Sequence, residues 1–196
     1  MKWQQALLDY KSYLKIERGL SQNSIDSYAL DVKKLITYLK NQGIQESPLS
    51  ISSNLVHQFV YDIAKLVNAR SQSRIISGLR SFFDYLIFED YIKVNPLEQI
   101  EAPKIGRKLP DTLSVKDIDL IVASIDLSSP QGERNRAIIE TLYSCGLRVS
   151  ELTELKISDL FFEEGFIKVT GKGNKQRFIP IGPLTQKYIN LYKDHV

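Results

Sequence analysis

The chain is short of the residues that crosslink small proteins or bind metals. It has one cysteine, Cys145, among 196 residues, so no disulfide can form within it and a reducing, intracellular setting is expected. Its two histidines, His57 and His195, lie far from Cys145 and from each other, which leaves no spacing for a structural zinc site. No apolar run approaches the ~20 residues that a membrane helix needs. The opening stretch MKWQQALLDYK is too polar for a secretory signal. An excess of one charge is missing too. The formal net charge is +3; residues 1–100 carry 12 basic and 10 acidic side chains and the remainder 14 and 13. That balance is compatible with a nucleic-acid partner but does not argue for one.

What is present is ordinary material for a buried core: 43% hydrophobic and 25% charged residues. In the first half the apolar residues recur at helical spacing. Trp3, Leu7, Tyr10 and Leu14 share one face, and Ile25, Tyr28, Ala29, Val32, Leu35, Ile36 and Leu39 share another. Val56, Phe59, Val60, Ile63 and Val67 form a third stripe, and Ile76, Leu79, Phe83, Leu86 and Ile87 a fourth. Gly and Ser separate the segments, so residues 1–94 are expected to be a four-helix bundle. Residues 95–112, NPLEQIEAPKIGRKLPDT, have three prolines and no period, the mark of a linker. Residues 113–196 form a second domain. Ser114 and Asp117 have the spacing of a capping box, and Ile118, Ile121, Val122 and Ile125 are expected to be the buried stripe of the helix that follows. A helix ending at Cys145 should be stopped by Gly146 in the left-handed conformation, and Ser150 is placed to cap a short helix after it. From residue 160 the period changes to two. Ile167 and Val169 alternate with Phe166, Lys168 and Thr170, and the turn KGNK, with Gly173 and Asn174 able to take positive φ, returns the chain to Phe178, Pro180 and Ile181. A last helix carries Tyr188, Ile189 and Tyr192, which read as packing residues, as do Trp3 and Cys145.

Two positions suggest chemistry. Arg148 sits at a helix-to-helix corner, with no acidic neighbour before Glu151. A guanidinium beside the unsatisfied N–H groups of a helix start makes an anion site. The residues alone equally allow a surface arginine paired with Glu151 or Glu154. Lys172 sits at the hairpin tip with Lys175 and Arg177 close behind, as a solvated turn or as a cation able to swing into a cleft. The GKG string lacks the remainder of a P-loop and runs from strand to strand, which excludes nucleotide binding of that kind.

The order of "YSCGLRVSELTELKISDL" and "FIKVTGKGNKQRFIPIG" resembles the tyrosine recombinases, the phage-integrase-like site-specific enzymes, and in particular their Xer branch. "ERGLSQNSIDSYALDVKKLITYL", "RSQSRIISGLRSFFDYLI" and "NPLEQIEAPKIGRKLPDTLS" extend the likeness over the whole chain. The resemblance implies a mainly α protein: a four-helix SAM-like core-binding domain joined by a linker to an α+β catalytic domain with a small antiparallel sheet, the two closing as a clamp around DNA. It implies strand exchange in which a tyrosine hydroxyl displaces the 5′-oxygen from a DNA phosphodiester. A 3′-phosphotyrosine and a free 5′-hydroxyl form, and a second strand reverses the step. Bond energy is conserved in the intermediate, so the expected cofactor is none, with neither ATP nor metal.

By the same resemblance, Arg148 would contact the non-bridging oxygens, Lys172 would protonate the leaving 5′-oxygen, and Glu151 would orient the site. Arg148 would then lack a protein partner because the scissile phosphate is its partner. DNA contacts are expected from Arg70, Arg74, Ser77, Ser81 and, on the flank, Arg80 on the fourth helix; from Lys104, Arg107 and Lys108 in the linker; and from Lys175 and Arg177 in the hairpin. Asn23 and Ser27 are weaker candidates, and Arg134 and Arg136 read as solvated. The expected partners are double-stranded DNA, the same or a related recombinase in a tetramer, and a DNA translocase as activator, in the cytoplasm at the nucleoid and with no membrane. The family's later His-x-x-Arg helix and nucleophilic tyrosine have no counterpart here: His195 is followed only by Val196. The catalytic domain is therefore expected to be C-terminally truncated, a piece of a longer protein that binds DNA weakly and neither cleaves nor joins it. A mobile-element integrase and a non-catalytic DNA-binding module are the alternatives.

Overall fold

A computed structural model describes residues 1–106, 109–129, 131–171 and 173–194. The chain divides into two units, Met1–Lys108 and Leu109–Val196. Among the described residues no helix is long and apolar enough to cross a membrane.

The first unit is built from α1 (Trp3–Ile16), α2 (Gln22–Asn41), α3 (Ser53–Ala64) and α4 (Ala69–Phe88). Three of the four begin with a polar side chain that accepts a hydrogen bond from a first-turn helix N–H: Ser21 from Ser24, Ser52 from Leu55 and Asn68 from Ser71. The expected stripes converge on one core in which Tyr10, Leu35, Phe59, Ile76, Leu79, Phe82 and Phe83 are fully buried. Trp3 stacks on Phe82 with centroids 6.0 Å apart, and its indole N–H donates to the Glu46 carbonyl at 2.8 Å. The fourth helix buries more than its expected stripe, because Ile75, Phe82 and Tyr85 also turn inward.

An acidic group is sealed into this unit. Asp31 on α2 is 1% exposed and accepts both Nη atoms of Arg74 on α4 at 2.6 and 2.7 Å. The carboxylate lies directly against Gly78, where an added Cβ would overlap it. The start of the expected linker is also not free. Leu97 is fully buried, the Asn95 amide donates to the Arg80 carbonyl at 3.1 Å and to Asp84 at 2.6 Å, and an Arg80 Nη donates to the Ile100 carbonyl at 2.8 Å. Prolines end helical periodicity, but they do not prevent the turn over residues 96–99 from packing.

The second unit begins with α5 (Val115–Ala123), where Ser114 and Asp117 form the expected capping box. The stripe expected on α5 is not buried: Ile118 and Val122, with Ile125 beyond it, are half-buried, and Ile121 is exposed. The main neighbour of α5 is α6 (Gly132–Cys145). Gly146 ends α6 at φ 58° and ψ 37°, the left-handed conformation expected there. After α7 (Val149–Thr153) come β1 (Leu160–Phe161), β2 (Phe166–Thr170) and β3 (Gln176–Pro180), an antiparallel sheet in that order, and then α8 (Pro183–Asp194). Ile167 and Val169 point into the small core with Cys145, Leu147 and Ile181. α8 packs on α6, with Arg136 over the Tyr188 ring at 4.4 Å and bonded to Glu140 at 3.1 Å. Arg136, read from sequence as solvated, is instead part of that helix contact.

Candidate functional site

Arg148 is the residue before α7 and is extended, at φ −74° and ψ 151°. Ser150 lies inside the helix and is not its cap. Glu151, one turn on, folds back, and one of its oxygens accepts the Arg148 backbone N–H at 2.9 Å. Its other oxygen accepts a single Nη of the Arg148 guanidinium at 2.9 Å. Across from the helix, Arg177 on β3 presents a full fork to the same carboxylate, Nη1 to Oε1 at 2.6 Å and Nη2 to Oε2 at 2.9 Å.

Glu151 is thus 4% exposed yet receives four donors. The Arg177 fork first, and the Arg148 backbone N–H next, hold its carboxyl down to about 2, against the opposing effect of burial. Glu151 in turn raises Arg177 above the usual guanidinium value. Gly171, at the end of β2, makes this approach possible. A Cβ there would stand 3.1 Å from Arg177 Nη1 and 3.2 Å from Glu151 Oε1.

The Arg148 side chain remains 70% exposed, against 41% for Arg177 and 2% for Glu151. It faces an open concavity bounded by Gly146, Gly171, Lys175, Gln176 and Arg177. Arg148, Lys175 and Arg177 against one carboxylate leave an excess of positive charge there, the electrostatics of an anion site. Two corrections follow. Arg148 does have a protein partner, Glu151, so the expectation of an unpaired guanidinium fails, because a glutamate three residues on in the same turn is within reach. The helix start also contributes little, since α7 has five residues. The anion-binding capacity rests on side chains. Lys172 lies outside the described residues.

In the first unit, Arg74 and Ser77 on α4 line a cleft with Asn23, Ser24, Ser27 and Tyr28 on α2. Arg70 is exposed at the start of α4, and Lys104 is exposed further along. Ser81 and Arg80 differ from expectation. The Tyr10 hydroxyl donates to Ser81 Oγ at 2.9 Å, which turns that side chain toward α1 and leaves it half-buried. Arg80 is committed to the Ile100 carbonyl. Arg107 and Lys108 lie outside the described residues. Sequence reasoning missed Asp31, whose only signal is an acidic residue beside a buried stripe, and the pairing of Arg177 with Glu151 across 26 residues.

The phage integrase N-terminal SAM-like domain model matches residues 7–90, and the phage integrase family model matches residues 111–196. The chain belongs to the phage integrase family. Among relatives of this integrase-family chain are proteins named tyrosine recombinase XerD. That of Staphylococcus haemolyticus is 37% identical over 96% of this chain and 64% of its own length. That of Oceanobacillus iheyensis is 38% identical over 95% and 63%, and that of Listeria monocytogenes 37% over 94% and 62%. The chain therefore spans less than two thirds of these relatives. Two solved structures share the integrase-family fold. A lambda integrase tetramer bound to a Holliday junction superposes with TM-score 0.76 at 21% identity, covering 99% of this chain and 57% of the other. The XerH site-specific recombinase, in a post-cleavage complex with a palindromic difH substrate, superposes at 0.72 and 20% identity, covering 96% and 57%.

Proposed function

We propose that this integrase-family protein is the DNA-holding part of a site-specific recombinase that cuts and rejoins duplex DNA through a 3′-phosphotyrosine. The observation that carries the proposal is the exposed Arg148 guanidinium, oriented by a buried Glu151 in a basic concavity beside the β2–β3 hairpin. Phosphoryl transfer asks for positive charge around the non-bridging oxygens and an acid for the departing one. Arg148 supplies donors to the oxygens, Lys172 protonates the 5′-oxygen, and Lys175 adds positive charge. In the helical unit the residues assigned to the duplex are Arg70, Arg74 and Ser77, with Asn23 and Ser27, and in the linker they are Lys104, Arg107 and Lys108. Domain limits of 1–94, 95–112 and 113–196 fit this division of labour. Assembly as a tetramer with itself or a related recombinase, activation by a DNA translocase, and a role at the nucleoid in chromosome partition at cell division belong to the same proposal.

Tyr188 and Tyr192 are half-buried on α8, with Tyr188 under Arg136, which supports a packing role for both rather than that of the nucleophile. The 196-residue chain is expected to retard duplex DNA in a gel, with affinity falling steeply as salt rises, and to form no covalent adduct on a nicked suicide substrate. No retardation at low salt would overturn the DNA proposal. An adduct would place the nucleophile within these residues and overturn the packing role given to the two tyrosines.

A further inference from the structure

We infer that Arg177 is a positioning residue: by occupying both oxygens of the buried Glu151 it leaves the Arg148 guanidinium available to an anion, and it does not itself bind that anion. The inference rests on the anion site proposed above and departs from the expectation that Arg177 touches DNA.

The donors are divided unequally. Arg177 gives two bonds, one to each carboxylate oxygen, in the planar fork-to-fork arrangement that makes such pairs strong. The Arg148 side chain gives one. Exposure follows the same division, because the guanidinium with the single bond is the more open one. Arg177 is also the foremost cause of the low Glu151 midpoint, ahead of either contribution from Arg148. The charge count agrees. Two guanidinium groups on one carboxylate leave a net positive cluster. With Arg177 removed, Arg148 and Glu151 would form a neutral pair, and the carboxylate oxygens vacated by the fork would draw Arg148 into a bidentate pairing turned away from the concavity. Gly171 fits this role, since any side chain there would press on the very contact between Arg177 and Glu151.

The test uses the whole chain with inorganic phosphate as probe, followed through the Arg148 Nε–Hε resonance, alongside the carboxyl titration of Glu151. In the unaltered chain phosphate should shift the Arg148 signal. Arg177→Met should weaken that response at least about threefold, the order expected for one partly screened unit charge a few ångströms away, and should move the Glu151 midpoint up from about 2. The double variant Arg177→Met/Glu151→Gln removes the carboxylate that Arg177 neutralises, though it also weakens the hold on Arg148, and should recover part of the phosphate response that Arg177→Met loses. Replacing both members of the pair by neutral groups of similar shape also protects folding, so this comparison stands even where the single variant unfolds. A double variant that binds no better than Arg177→Met, or that does not bind phosphate at all where the single variant unfolds, would show that Arg177 contacts the anion and overturn the inference. So would a single variant that binds phosphate normally. Failure of phosphate to reach Arg148 in the unaltered chain is a different result: it removes the anion site itself and the inference with it.

Discussion

Two carboxylates, both nearly sealed from water, are held in opposite ways. Burial pushes Asp31 up, with Arg74 working against it, whereas the Arg177 fork and the Arg148 N–H pull Glu151 down to about 2. The signs of their pH dependence are therefore opposite. Glu151 binds its proton less readily folded than unfolded, so its stabilising share is complete above the ordinary glutamate value of about 4.3 and is lost as pH falls toward about 2. Asp31 binds its proton more readily folded, so its cost is present at neutral pH and is relieved as pH falls through its raised midpoint. Carbon-13 carboxyl titrations should place the two midpoints on opposite sides of the ordinary carboxylate range; both on one side would contradict the account. Gly78 is tied to the first of these groups. Gly78→Ala puts a methyl group into the Asp31 carboxylate and should destabilise the helical unit by about 1–3 kcal/mol in urea melts. A neutral result would mean that α2 and α4 can part at that contact.

At the scale of elements, the hairpin and the caps are the clearest cases of local chemistry deciding local shape. Gly173 and Asn174 take φ 75° and 58°, left-handed positions in the tight loop that follows the Thr170–Gln176 pair, where Gly and Asn are the residues that adopt them most readily. Gly173→Ala should cost about 1–2 kcal/mol, the penalty of a left-handed residue with a Cβ. The drop should appear in the second unit's transition by circular dichroism, with little effect on the first. Ser114→Ala breaks a capping box and should cost about 0.5–2 kcal/mol in the same assay. These features could be read from sequence because each depends on residues at most a few positions apart. The α5 stripe could not. Periodicity shows which face of a helix is apolar, but not how fully another element covers it, and on α5 that face stays half-buried or exposed. The same limit applies to α4, where the period placed Ser81 roughly opposite the stripe, yet Tyr10 of α1 reaches it.

At the scale of the molecule, the two units have unequal cores. Among the described residues, twenty buried ones form the first core and five the second, so the second unit should unfold at lower denaturant, since burial of apolar surface is the dominant stabilising term. Trp3, the single tryptophan, lies in the first unit and makes the prediction simple to check. Far-ultraviolet circular dichroism should show an early loss that tryptophan fluorescence does not share. Coincident curves would mean that the units unfold as one.

The sequence by itself determined the helices, the turn, the αL stop at Gly146 and the family, because periodicity, caps, positive-φ residues and motif order are properties of neighbouring positions. It also marked Arg148 and Glu151 for the site. Only the tertiary structure decided which charges meet: Arg177 on Glu151 from 26 residues away, and Arg74 on Asp31 from 43. An ion pair across a fold depends on where two backbones come to rest and on the room left by a glycine between them, and no local pattern in the chain encodes that distance.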